Sequence, residues 1–110
     1  MKLKTENNKL FIGKKIIQID YEIISAYKIK NKVIICFKTP IPKGRFQNLI
    51  CMNIKEDIIW KADLPSHDSV DCYWSIQRVW PSLVVISFSS YKCKINVNTG
   101  KIMNKKYIFK

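Results

Sequence analysis

The 110-residue sequence has no long hydrophobic run; its apolar stretches 33–37 and 83–86 are five and four residues long. A membrane-crossing helix needs roughly 18–20 such residues, so none is predicted and no membrane partner is expected. Glycine (3) and proline (4) are scarce, which argues against a disordered or fibrous chain. Acids are few: Asp and Glu total 8 against 20 Lys and Arg, for a formal charge of +12. Arginine is rarer still, with 2 against 18 lysines, beside 19 Ile and 8 Asn. That mixture reads first as the codon bias of an AT-rich genome. Nucleic-acid binders draw on the planar fork of Arg, so lysine charge alone is weak evidence for such a partner. The single histidine, His67, excludes a two-histidine ribonuclease mechanism. Four cysteines at 36, 51, 72 and 93 form no C-x-x-C pair and read as reduced thiols filling a core, not as zinc ligands. No calcium-loop spacing links the aspartates, and no cofactor is expected. No apolar segment follows Met1-Lys2-Leu3-Lys4, so no secretory leader is read and a cytoplasmic location is expected.

What the chain does contain is short apolar or alternating runs divided by turn residues, the pattern of β-strands. A polar, frayed start over 2–8 is followed by a hairpin over 9–21 turning at Gly13-Lys14. Further runs at 23–30 and 33–38 flank Asn31-Lys32, and 48–53 and 58–62 flank Glu56-Asp57. Runs at 72–79 and 83–89 flank Trp80-Pro81-Ser82, and 91–96 and 101–109 flank Val97-Asn98-Thr99-Gly100. Two longer loops, 39–47 and 63–71, stand out. No stretch has helical periodicity, and connections of two to ten residues cannot carry parallel crossovers. The expected fold is one all-β antiparallel domain: two four-stranded meanders, unit one over 22–62 and unit two over 72–109, after a short N-terminal hairpin.

The two units look duplicated. Ile34-Ile35-Cys36-Phe37 matches Val85-Ile86-Ser87-Phe88, and Asn53 and Ile59 match Asn96 and Ile102. Four strands in some 40–45 residues is the period of a propeller blade, and two such units can pack side by side or face to face. The turn Asn96-Val97-Asn98-Thr99-Gly100-Lys101-Ile102 resembles that of quinoprotein-type propeller repeats. There Gly supplies a positive φ, and Asn and Thr bond the turn backbone. The first unit keeps Trp60 but has Glu56-Asp57 in place of Thr-Gly. That resemblance implies a blade and not quinone binding. The wider layout, in Asn48-Leu49-Ile50-Cys51-Met52-Asn53, Ile58-Ile59-Trp60-Lys61-Ala62-Asp63-Leu64-Pro65, Asp71-Cys72-Tyr73-Trp74 and Ser87-Phe88-Ser89-Ser90-Tyr91, resembles immunity proteins of contact-dependent growth inhibition systems. The resemblance implies a non-enzymatic half-propeller or sandwich-like protein that neutralises a cognate toxin domain by occluding its active site or substrate face.

Ser66-His67-Asp68-Ser69 is the most chemical stretch, but nothing in a tetrapeptide fixes triad geometry, and it reads as a contact loop. Every acid lies at or before Asp71, and residues 72–110 hold seven cations. If the toxin is a nuclease, its substrate face is basic. The acidic 63–71 loop, with Asp63, His67, Asp68 and Asp71 and support from Tyr73 and Trp74, is then the expected contact. Tyr73 and Trp74 are adjacent on a strand, so one faces inward and the other outward. The 39–47 loop adds Lys43, Arg45 and Phe46. Trp80, before a proline and near Arg78 and Lys92, has the composition of a binding hot spot. The alternative reading of the basic, aromatic unit is a nucleic-acid-binding β module using Arg78, Trp80, Lys92 and Lys94. A third reading is a subunit that completes a larger β assembly through an exposed strand edge.

Overall fold

The computed structural model describes residues 2–39 and 44–108. Every regular element in these segments is a β-strand, and every pairing within the three sheets is antiparallel. No helix is long and apolar enough to cross a membrane.

The first sheet contains β1 (Lys4–Glu6), β2 (Lys9–Ile12) and β3 (Lys15–Gln18) in sequence order. This corrects the expected two-strand hairpin with a frayed start. Lys4-Thr5-Glu6 has no apolar pattern, yet its backbone pairs with β2 through Lys4↔Phe11 and Thr5↔Leu10. Leu3 N also donates to Ala26 O (2.9 Å), which ties the start of the chain to the next sheet.

The second sheet is the meander β4 (Ile23–Ile29), β5 (Lys32–Phe37), β6 (Leu49–Asn53) and β7 (Ile58–Lys61). Its first turn centres on Lys30-Asn31, with Lys30 at φ 53°, one residue earlier than the expected Asn31-Lys32. The third sheet is the meander β8 (Tyr73–Arg78), β9 (Leu83–Ser87), β10 (Tyr91–Ile95) and β11 (Ile102–Tyr107). Its described part ends at 108, so the expected end of the unit at 109 lies outside the described residues.

The middle sheet has both faces covered, which explains the unbroken apolar run of β5. Ile34 and Cys36 join Leu49, Cys51, Trp60 and Ala62 against Tyr73, Ile76, Leu83, Val85, Cys93 and Ile95 of the third sheet. Val33, Ile35 and Phe37 point the other way, with Ile50 and Met52, onto Leu10 and Ile17 of the N-terminal sheet. Alternation along one strand therefore feeds two cores. A buried Asn48 joins the two meanders. Its Nδ2 donates to Phe37 O (2.8 Å) and to Tyr73 O, and its Oδ1 accepts from Tyr73 N (2.7 Å).

All four cysteines are free, and three of them are buried. Burial pushes the Cys36 thiol up to about 12 and that of Cys51 up to about 11, and it raises Cys93. The partly buried Cys72 is raised by desolvation and then by the charge of Asp71. Because the thiolate is the reactive form, a disulfide reagent at pH 8 should modify Cys72 measurably faster than the other three in the folded protein. In urea all four should react together. Equal labelling of all four under native conditions would contradict this packing.

Candidate functional site

The two long loops meet at one end of the paired meanders. Arg45 and Asp71 form an isolated parallel bridge: Asp71 N donates to Gly44 O and Phe46 N to Asp71 O, each at 3.1 Å. The Arg45 guanidinium reaches further along the second loop and donates to Ser66 O and, at 3.1 Å, to Asp68 O. Phe46 is half-buried and rests edge-on against Tyr21 (5.6 Å) and Phe37 (5.9 Å).

Asp71 itself is fully buried. Its carboxylate accepts from Ser66 Oγ (2.6 Å), Ser89 Oγ (3.0 Å), Cys72 N (2.9 Å) and Ser89 N (3.2 Å). A buried carboxylate held by four donors is compensated for its lost hydration. Asp71 therefore knots the second loop to the β9–β10 turn. Tyr73 is buried as well, and its hydroxyl donates to Asp63 O (2.6 Å). Burial, first of all, and then the neighbouring Cys93 hold that phenol well above its usual range. Asp63 N donates to Gly100 O (3.1 Å), and Lys105 Nζ donates to Pro65 O (2.6 Å). The second loop is thus pinned along much of its length by the third sheet.

Between the loops lies an open cleft of about 630 Å³, lined by Arg45, Phe46, Lys61, Asp63, Leu64 and His67, among others. Arg45, Lys61, Asp63, His67 and Asp68 are exposed, so the rim carries both signs of charge. Among the described residues, no three His, Cys, Asp or Glu side chains converge in a group that could hold a metal ion.

The expected contact residues divide among several places. Arg45, Phe46, Asp63 and His67 come together at the cleft, and Asp68 stands beside it. Asp71 and Tyr73 are corrected: both are inside, and they hold the loop instead of offering a surface, because each is surrounded by fixed backbone partners. Lys43 lies outside the described residues. Trp74 is on the outer side of the third sheet, the opposite of Tyr73 as alternation requires, in edge contact with Phe88 at 5.7 Å. Trp80 is 70% exposed, as expected, and lines a recess with Lys30, Asn31, Lys32, Val97 and Asn98. Arg78 and Lys92 line a different groove.

Sequence reasoning missed Lys61, Gln47 and Ile102 as cleft residues, and Ser66 and Ser89 as partners of Asp71. Ser89 stands 18 residues from Asp71, and no local pattern joins them.

No solved structure and no curated protein matches the chain. A family model does match, over residues 1–107, and the chain belongs to that family, described as "Domain of unknown function (DUF7957)".

Proposed function

We propose that this protein neutralises a cognate toxin by binding it through the loop cleft and occluding its active site or substrate face, acting by surface contact and not by catalysis. The observation that carries the reading is the junction of the two loops: a buried carboxylate, a parallel bridge and a guanidinium clamp tie Arg45 to the backbone of Ser66 and Asp68, while the Tyr73 hydroxyl and the Gly100 carbonyl hold the Asp63 backbone, before any partner arrives. Contact groups fixed in advance lose less entropy on association. The resemblance to immunity proteins supports the same reading, with action in the cytoplasm. A nuclease domain with a basic substrate face would meet the carboxylates of Asp63 and Asp68. A standard interface of about 1,600 Å² in total would extend well beyond the cleft.

The test starts at the gene next to this protein's own, where this reading expects a toxin domain; absence of one there counts against it. Co-expression should protect cells, and the two chains should co-elute as a complex. The double variant Asp63→Lys with Asp68→Lys should weaken the complex at least tenfold while leaving the unfolding transition in place, since both side chains are exposed. Full protection by that variant would move the interface elsewhere, and failure of the unaltered protein to bind would reject the reading. Asp71 is unsuitable as a contact probe because its replacement tests folding.

A further inference from the structure

The two meanders are treated unequally. Val33, Ile35 and Phe37 of β5 are covered by the N-terminal sheet. Their counterparts in the repeat, Val84, Ile86 and Phe88, belong to the outer side of the third sheet, and no strand of the described residues packs over that side.

Cations occupy this side instead. In the register, Lys92 stands opposite Ile86 and Lys106 opposite Lys92, while Lys94 and Arg78 flank Val84 from either side. Paired strands lie about 4.8 Å apart, and alternate residues of one strand about 6.7 Å, so these four charges form a lattice with spacings of roughly 5–10 Å. Val84 and Ile86 are only 6% and 7% exposed, so the floor between the cations is already covered. Long lysine stems do this while keeping their ammonium groups in water. A groove of about 470 Å³ runs here, lined by Arg78, Lys92, Lys94, Lys106 and Asn104 among others, and none of its lining residues is acidic. The ion pairs Lys15–Glu56 and Lys38–Glu22 involve none of these four cations.

Two aromatic rings close one end. Trp74 is the extra residue where the register shifts between Tyr73 and Ser75. Such a bulge re-aims a side chain. Trp74 meets Phe88 edge to face, and the two rings are 47% and 49% exposed.

A second copy of the chain would bring like charge against like. An acidic protein would need an open apolar centre for its anchors, and here that centre is roofed. A chain with one negative charge per unit and flat bases uses both the lattice and the rings. We propose that the outer face of the third sheet binds single-stranded nucleic acid, its phosphates along Arg78, Lys92, Lys94 and Lys106 and a base against the Trp74–Phe88 pair. This goes beyond toxin binding, uses another face and does not depend on that reading.

The experiment is fluorescence anisotropy of labelled 15-nucleotide oligo(U) and oligo(dT) with the full chain. Four single-strand phosphate contacts predict roughly a 50-fold loss of affinity between 50 and 200 mM salt. Lys92→Glu with Lys94→Glu and Lys106→Glu should abolish binding. Trp74→Ala should weaken it roughly tenfold with the salt slope unchanged, and should leave binding of heparin, which has charges but no bases, unaffected. Near-ultraviolet circular dichroism confirms the fold of each variant. The control Lys9→Glu with Lys14→Glu and Lys55→Glu should bind nearly as well as the unaltered chain. No anisotropy change at 50 mM salt overturns the proposal and leaves an acidic protein as the matching partner. An equal loss in the control triple overturns it in favour of net charge alone. An unaffected Trp74→Ala, or preference for duplex, overturns the single-strand assignment.

Discussion

Replacing Asp71 with Ala should lower stability by about 3–5 kcal/mol and uncouple the two loops. The expectation follows from counting donors. Four hydrogen bonds converge on this carboxylate, two from hydroxyls and two from backbone amides. The hydroxyls of Ser66 and Ser89 can rotate toward other acceptors. The amides of Cys72 and Ser89 cannot, and a buried unsatisfied donor costs about 1–3 kcal/mol. Asp71→Asn keeps the shape and can keep its oxygen toward the two amides, but it turns an NH₂ toward the two serine hydroxyls, which must rotate from donating to accepting, so about half the loss should remain. Ser66→Ala and Ser89→Ala should each cost roughly 1 kcal/mol. Urea unfolding measures all four, and limited proteolysis should show the 63–71 loop cut first in Asp71→Ala. A variant within about 0.5 kcal/mol of the parent, the range of an ordinary surface substitution, would mean that the carboxylate does not organise the junction.

Gly100→Ala should cost about 3–4 kcal/mol, the sum of a backbone and a packing effect. The backbone has φ 76°, where an L side chain loses about 1–2 kcal/mol. A methyl group there would also lie 2.6 Å from Trp60 Cε3 and 2.7 Å from Cδ2. Trp60 cannot easily yield, since it is 7% exposed and its Nε1 donates to Val97 O (2.9 Å). Forced overpacking of this kind costs typically 1–3 kcal/mol. The control is Gly13→Ala. Its φ is 57°, but nothing lies within 4 Å of the added carbon, so only the backbone part applies. The melting temperature of Gly100→Ala should therefore fall by well over 10 °C, and that of Gly13→Ala by several degrees. Equal losses would refute the contact with Trp60. Because Gly100 O holds Asp63 N, the first variant should also weaken the toxin binding proposed for the cleft.

The repeat gains meaning from these turns. Asn53 Oδ1 accepts from Lys55 N (2.8 Å) and Asp57 N (3.0 Å), and Asn96 Oδ1 accepts from Asn98 N (2.8 Å). Each turn then passes through one positive-φ residue, Glu56 at 72° in the first and Gly100 in the second. The turn chemistry is shared although the residues differ. Only the second position requires glycine for lack of space, because only there does a tryptophan from the other meander lie against the backbone.

Strand positions and the two meanders were legible because their causes are local. Alternation, short connections and Asn- or Gly-bearing turns act over a few residues. The strand at Lys4–Glu6 was not legible, since backbone pairing alone makes it. At the cleft, the two loops could be read from the sequence, but the inward turn of Asp71 could not. An aspartate in a polar loop looks exposed until donors arrive from Ser66 and Ser89. The chain's own letters were enough to dictate an antiparallel β fold with a basic second half. Three-dimensional packing alone decided which polar groups went inside, which long loops met, and which sheet face was left to its cations. Burial of a charge depends on the partners brought to it, and those partners come from parts of the chain that share no local pattern.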